Sequence, residues 1–309
     1  MKKIIFVLTV FLVFHLSLSA QKTKEFYSEK KAKYVFYFIG DGMGLAHVSL
    51  AEMYLSAQND EVGMKSLNMT SMPVAGLAKT YCKNSYITCS AAAGTALATG
   101  EKTNFGRLGV FPDSILRESI AIECAQKEYR IGVISTVSID HATPASFYAQ
   151  SHSRSDYYEI GKQMLQTEIN LFAGGGFKRP KGKDKDQEDL HEIAKKEGFN
   201  IIRDTAGLKQ LKQNEQLIFL NPVLQAEAEM PLAIDRKKLG GYSLANLIEV
   251  AIRTLYNEKG FFVMAEGGMI DWVAHTNDAA SIVHEVLDFD EAIGVALDFY
   301  KKHPDETLI

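Results

Sequence analysis

Cysteine is scarce in this 309-residue chain, which holds only Cys82, Cys89 and Cys124. Three can close at most one intramolecular disulfide, so a disulfide-built scaffold is excluded. No Cys-x-x-Cys pair occurs, and with it goes the usual structural zinc knot. Positive charge is not in excess either: 34 Lys and Arg face 38 Asp and Glu, a formal net charge of −4. That balance argues against nonspecific nucleic-acid binding and gives no reason to expect a nucleic acid as specific partner. Past the first twenty residues no apolar run is long enough to span a membrane. Internal repeats are lacking, and nothing in the composition suggests a disordered or collagen-like chain.

What is present begins with a leader. Residues 1–20 read MKKIIFVLTVFLVFHLSLSA. Lys2 and Lys3 precede a mostly apolar run from Ile4 to Leu16, and the small residues Ser17, Ser19 and Ala20 follow. This order is that of a secretory signal peptide, with cleavage expected after Ser19 or Ala20 and a secreted or periplasmic destination. Cleavage would remove two lysines and no acids, leaving a net charge of −6. No cysteine stands at the junction, so a lipid anchor there is not expected.

Hydrophobic content of 46% over the whole chain supports a substantial core. Short apolar runs at Lys33 to Ile39, Ile131 to Ile134, Leu171 to Ala173, Gln216 to Leu220 and Phe261 to Ala265 predict strands. Helical patterns at about 45–57, 115–127, 156–168, 187–197, 243–257 and 279–302 lie between them. Strands alternating with helices imply an α/β fold with a mostly parallel central sheet and helices on both faces. Ligands then bind at the carboxyl ends of the strands, the rim that carries Asp41, Thr136 to His141 and Glu266. The charged stretch 178–189 predicts a surface loop inside a polar insertion reaching to about 240. After helix 279–302, HPDETLI reads as a turn and the opening of a further strand. The reading is therefore a domain over 21–309 that is incomplete, with C-terminal strands missing.

Four segments carry candidate chemistry. In FIGDGMG (38–44) Asp41 follows a buried strand among glycines; a strand-end carboxylate facing a ligand and an ordinary turn aspartate both fit. In ITCSAAAGTALATG (87–100) Ser90 opens a small-residue helix. It is either a capping serine or a nucleophile in the positive field of the helix start. In STVSIDHATPASFYAQSHSR (135–154) Asp140, His141 and Thr143 follow a strand. Pro144 can open a helix, and Arg154 further along it would offer a bidentate fork for phosphate. In AEGGMIDWVAHTNDAA (265–280) Glu266 ends a strand and Asp271 and His275 stand at i, i+4. That spacing suits one shared metal, or simply a helix cap and a surface histidine.

Taken together and in this order, the four segments resemble the metal-dependent alkaline phosphatases, and AGGGF (173–177) resembles that family's glycine turn. The resemblance runs from about Tyr34 to Ile309, apart from 178–240. It implies hydrolysis of small phosphate monoesters through a phosphoserine on Ser90, with two Zn2+ ions and one Mg2+. It implies that Asp41 bridges a zinc and the magnesium, and that Thr143 and Glu266 complete the magnesium ligands. Asp271 and His275 become ligands of the other zinc. Ser90 doubles as a zinc ligand, Arg154 clamps phosphate oxygens, and His141 stands beside the magnesium. Family members are often dimers, which leaves a homodimer open. Two departures stand out. Many members carry Asp just before the nucleophile, where it orients the arginine; here that residue is Cys89. A further Asp-His pair and another His, which complete the family's zinc sites, have no counterpart among these residues. The expectation is weak or absent activity and poor zinc retention for these 309 residues. A noncatalytic metal- or phosphate-binding remnant and a phosphodiesterase of the same superfamily are the rival readings. A sulfatase is disfavoured, because Cys89 is followed by Ala93 where the modification signal needs Arg.

Overall fold

The structure is a computed structural model that describes residues 31–113, 117–209 and 215–309. The expected signal peptide over 1–20 lies outside the described residues. Among the described residues seven strands form one sheet: β1 (Tyr34–Gly40), β2 (Arg130–Ser135), β3 (Leu171–Gly174), β4 (Asn200–Ile202), β5 (Leu217–Leu220), β6 (Phe261–Gly267) and β7 (Thr307–Leu308). Their order is β4-β5-β3-β2-β6-β1-β7, and every pairing is parallel. The α/β class with a mostly parallel sheet is as expected. β6 lies between β1 and β2 and is buried at every position, so both its faces must be apolar.

Alternation along β6 divides the interior into two cores. Phe261, Val263 and Ala265 point into one, and Phe262 and Met264 into the other. The first core is closed by α1 (Leu45–Ala57) and, further along the chain, by helices Leu244–Leu255 and Ala279–Lys302. The second is closed by α2 (Ser90–Thr99), α3 (Ile120–Gln126), α4 (Ala142–Ala145), α5 (Tyr157–Met164) and α6 (Leu190–Lys196). The remaining helices are α7 (Ala233–Leu239), α8 (Leu244–Leu255), α9 (Met269–His275) and α10 (Ala279–Lys302). The segment 178–240 contributes α6, α7 and the two strands β4 and β5 at one side of the sheet. Its charged start, 178–189, forms turns and bends. All three cysteines are free. No helix among the described residues is long and apolar enough to cross a membrane.

The long helix α10 buries acids as well as apolar groups. Asp290 accepts the backbone N–H groups of Asn68 and Met69 at 2.9 Å each. Glu285 accepts the Ala233 N–H at 2.7 Å, at the start of α7. Burial, then repulsion from Asp288, pushes the Glu285 carboxyl from an ordinary 4.5 up to about 7. The folded state therefore holds this proton more tightly than the unfolded chain. Its contribution to stability is complete below about pH 4.5 and is lost as pH rises through about 7. Glu285→Gln keeps the acceptor and removes the titration. In chemical denaturation at pH 5 and pH 8, the variant should gain roughly 1–3 kcal/mol on the parent at the higher pH. An equal fall in both proteins would contradict the assignment.

Candidate active site

The parallel pairings bring the singled-out residues to one rim. Ile39 of β1 and Ser135 of β2 flank Glu266 of β6 in register, so Asp41, two residues past Ile39, stands beside Glu266. α9 begins three residues after Glu266 and carries Asp271 and His275. The rim opens into a cleft of about 1050 Å3 whose walls include Asp41, Ser90, His141, Arg154, Asp271 and His275. Thr143 and Glu266 lie below its floor, 2% and 0% exposed.

Ser90 is the first residue of α2, and the capping position belongs to Cys89 in extended backbone. The Ser90 hydroxyl therefore caps nothing. It donates instead to Asp41 Oδ2 at 3.0 Å. Burial and the neighbouring Asp271 raise the Asp41 carboxyl, while Ser90 and Arg154 lower it. A hydroxyl whose proton already points at a carboxylate is the geometry of a nucleophile with its proton acceptor. The small residues behind Ser90 serve packing: Ala91, Ala92, Gly94, Thr95 and Ala98 are buried, and α2 lies against α4.

Asp271 reaches the same spot because residue 42 has no side chain. Gly42 has φ +63°, and a Cβ there would come within 2.5 Å of Asp271 Oδ1. One helical turn on, His275 Nε2 lies 3.4 Å from Asp271 Oδ2, so the expected i, i+4 pair forms.

Below them the charge is unbalanced. Among the described residues Glu266 Oε2 accepts the Ser135 hydroxyl, yet its Oε1 has no partner. Burial and then Asp41 push its carboxyl up to about 8. His141 Nδ1 is also buried without a partner. Burial, then Arg154 and Lys178, push the imidazole down to about 3, so it is neutral. Its Nε2 lies 3.4 Å from Arg154 Nη2. Among the described residues no three His, Cys, Asp or Glu side chains gather closely enough to hold an ion by themselves. The donor chemistry nonetheless fits a hard cation. Asp41 and Glu266 repel one another, Thr143 adds a hydroxyl, and an orphaned carboxylate oxygen is the expected sign of an absent positive partner.

One expectation is corrected. Pro144 does not open a helix that runs on to Arg154. α4 stops at Ala145, with Pro144 inside it, and Arg154 lies in a turn. The reason is competition for the backbone: Ser151 exchanges both its N–H and its C=O with Leu108, at 2.8 and 2.9 Å, and cannot also be helical. Sequence reasoning also passed over Ser135, the partner of Glu266, and Trp272, whose ring meets His141 edge-on at 5.6 Å. Ser135 was within reach, since a hydroxyl ending an apolar strand faces the ligand rim. Trp272 offered only its place beside Asp271.

Comparison with known proteins gives the same answer as the geometry. A family profile described as alkaline phosphatase matches residues 32–309. Alkaline phosphatase 4 of Bacillus subtilis is 33% identical over 286 residues, covering 89% of this chain and 59% of the relative. The tissue-nonspecific alkaline phosphatase of Rattus norvegicus is 30% identical over 318 residues, covering 86% and 60%. The chain thus spans about three-fifths of the length of these curated relatives. The solved alkaline phosphatase of the Antarctic bacterium TAB5 aligns with TM-score 0.76 and 34% identity over 90% of this chain and 77% of its own. A variant of that enzyme, solved with Mg bound in its M3 site, aligns with TM-score 0.77 and 35% identity over 90% and 76%. From its sheet, its rim and these relatives, the chain belongs to the alkaline phosphatase family.

Proposed function

We propose that this protein hydrolyses phosphate monoesters by transferring the phosphoryl group to Ser90 and then to water. The hydrogen bond from Ser90 Oγ to Asp41 Oδ2 carries the reading, since it gives a hydroxyl at a helix start a defined proton acceptor. Ser90 Oγ attacks phosphorus as its proton passes to Asp41, the bond from phosphorus to the alcohol oxygen breaks and that oxygen takes a proton from water, and a second water then hydrolyses the phosphoserine to inorganic phosphate, restoring the Ser90 hydroxyl. Arg154, across the cleft, binds two phosphate oxygens and offsets their charge. The N–H groups opening α2 add positive potential behind the phosphorus. Asp41, Thr143 and Glu266 would hold Mg2+, with His141 beside it. Asp41 and Ser90 would give donors to one Zn2+, and Asp271 and His275 to the other. When bound, these ions would supply charge neutralisation on the entering and leaving oxygens.

Two protein donors per zinc fall short of the three or four that zinc sites use. Export through residues 1–20 belongs to the same proposal. The rates on a phosphate monoester and a diester, measured side by side with Zn2+ and Mg2+, test it. The monoester should be preferred; a diester preference would favour the phosphodiesterase reading.

Glu266 gives a second check. Glu266→Gln removes a buried carboxylate pushed up to about 8. In metal-free protein above that pH the variant should be more stable than the parent by roughly 1–3 kcal/mol, and so melt higher. It should also lose the stabilisation that Mg2+ confers on the parent. A Mg2+-induced rise in melting temperature that survives in the variant would contradict the assignment of Glu266.

A further inference from the structure

Cys89 sits between the nucleophile and a turn that leads to the arginine. Its Sγ accepts the Gly106 N–H at 3.1 Å. The Gly106 C=O in turn accepts the Arg154 N–H at 2.8 Å. One peptide residue thus joins the residue before Ser90 to the residue proposed to clamp phosphate. Gly106 has φ +79°, a left-handed conformation that glycine adopts at no steric cost. Its neighbours fix the turn from both sides. The Phe105 N–H is held by Asn84 Oδ1 at 2.8 Å, and Leu108 forms a two-hydrogen-bond bridge with Ser151. Among the described residues the guanidinium of Arg154 has one side-chain neighbour within hydrogen-bond range, His141 at 3.4 Å, and Asp41 acts on it only through its charge. The backbone end is therefore where the arginine's place is set.

We infer that Cys89 is a positioning residue for Arg154, acting through the Gly106 turn. Resting on the proposed role of Arg154, the inference adds a residue with a distinct means of action. The sulfur holds the Gly106 peptide, the peptide holds the Arg154 backbone, and the guanidinium projects into the cleft from a fixed base. Cys89→Ala removes the acceptor, leaves the Gly106 N–H without its partner, and lets the turn and Arg154 shift together. A side chain that only filled space beside α2 would affect folding alone.

The test uses the 309-residue chain with excess Zn2+ and Mg2+ and inorganic phosphate as probe. Calorimetry reads phosphate affinity, hydrogen exchange reads the Gly106 and Arg154 amides, and thermal melting reads the fold. Cys89→Ala should weaken phosphate about threefold to tenfold and speed exchange at both amides. Cys89→Ser, which keeps an acceptor, should recover part of each change. In an Arg154→Ala background, Cys89→Ala should weaken phosphate no further, because the residue acts through Arg154. Unchanged exchange at Gly106 and Arg154 in Cys89→Ala would overturn the inference. So would an undiminished effect on phosphate in the Arg154→Ala background, or a Cys89→Ser protein no better than Cys89→Ala. If Arg154→Ala itself binds phosphate as tightly as the parent, the proposed clamp fails, and the exchange data still decide whether Cys89 holds the turn.

Discussion

Ser90→Ala is expected to lower phosphomonoester turnover by at least about a thousandfold, or to the level of buffer. The change removes the oxygen proposed to attack and little else. Cys89 holds the capping position and the Ser90 hydroxyl caps no backbone group, so alanine, a strong helix former, continues α2 undisturbed. The melting temperature should stay within a degree or two of the parent, with a small rise in repulsion near Asp41 once its donor is gone. The paired result is the diagnostic one: activity lost and fold retained. If Ser90→Ala turns over a monoester at the parent's rate, the nucleophile is another group and the proposed function falls. If it unfolds, the hydroxyl has a structural role that its hydrogen bonding does not show.

The largest effect on stability is expected far from the cleft. Arg236 of α7 forms a charged hydrogen bond with Asp288 of α10, their side chains 11% and 6% exposed. Asp288 also accepts the Leu244 N–H at 3.3 Å, so the pair ties three helices together. Arg236→Met should cost about 3–5 kcal/mol, because it leaves Asp288 buried near Glu285 with no positive charge between them. Arg236→Met with Asp288→Leu should recover most of that loss, since the expensive state is one unpaired charge rather than the absence of the bridge. Urea denaturation measures both. A loss under about 1 kcal/mol for the single variant would mean that water reaches the pair and screens it.

These two predictions also mark what the sequence made legible. The site was readable because its residues sit at strand ends and helix starts, where local pattern decides position. Asp41 directly follows β1, Glu266 lies near the end of β6, Ser90 opens α2, and Asp271 and His275 share a face of α9. Parallel pairing then brings them together without further information. Helix 279–302 was legible at both ends because Asp278 caps it and its apolar spacing is regular. Arg154 was misplaced because its backbone is governed by a partner far along the chain, the Leu108–Ser151 bridge, and local helix signals carry no trace of it. Strand β4 was not anticipated for a related reason. Its three residues are only half-buried and owe their extended form to pairing with β5. The Arg236–Asp288 tie shows the same limit, since a lysine- and arginine-rich stretch reads as solvated surface until α10 is packed on it.

The most direct measurement is to find the phosphoryl group. The protein is incubated with a phosphate monoester in the presence of Zn2+ and Mg2+, quenched in acid, digested and analysed by mass spectrometry. One phosphoryl group should appear on the peptide containing Ser90, localise to that residue, and be absent from Ser90→Ala. A phosphoryl group on a different residue, or monoester turnover with none trapped on Ser90 at any quench time, would contradict the account.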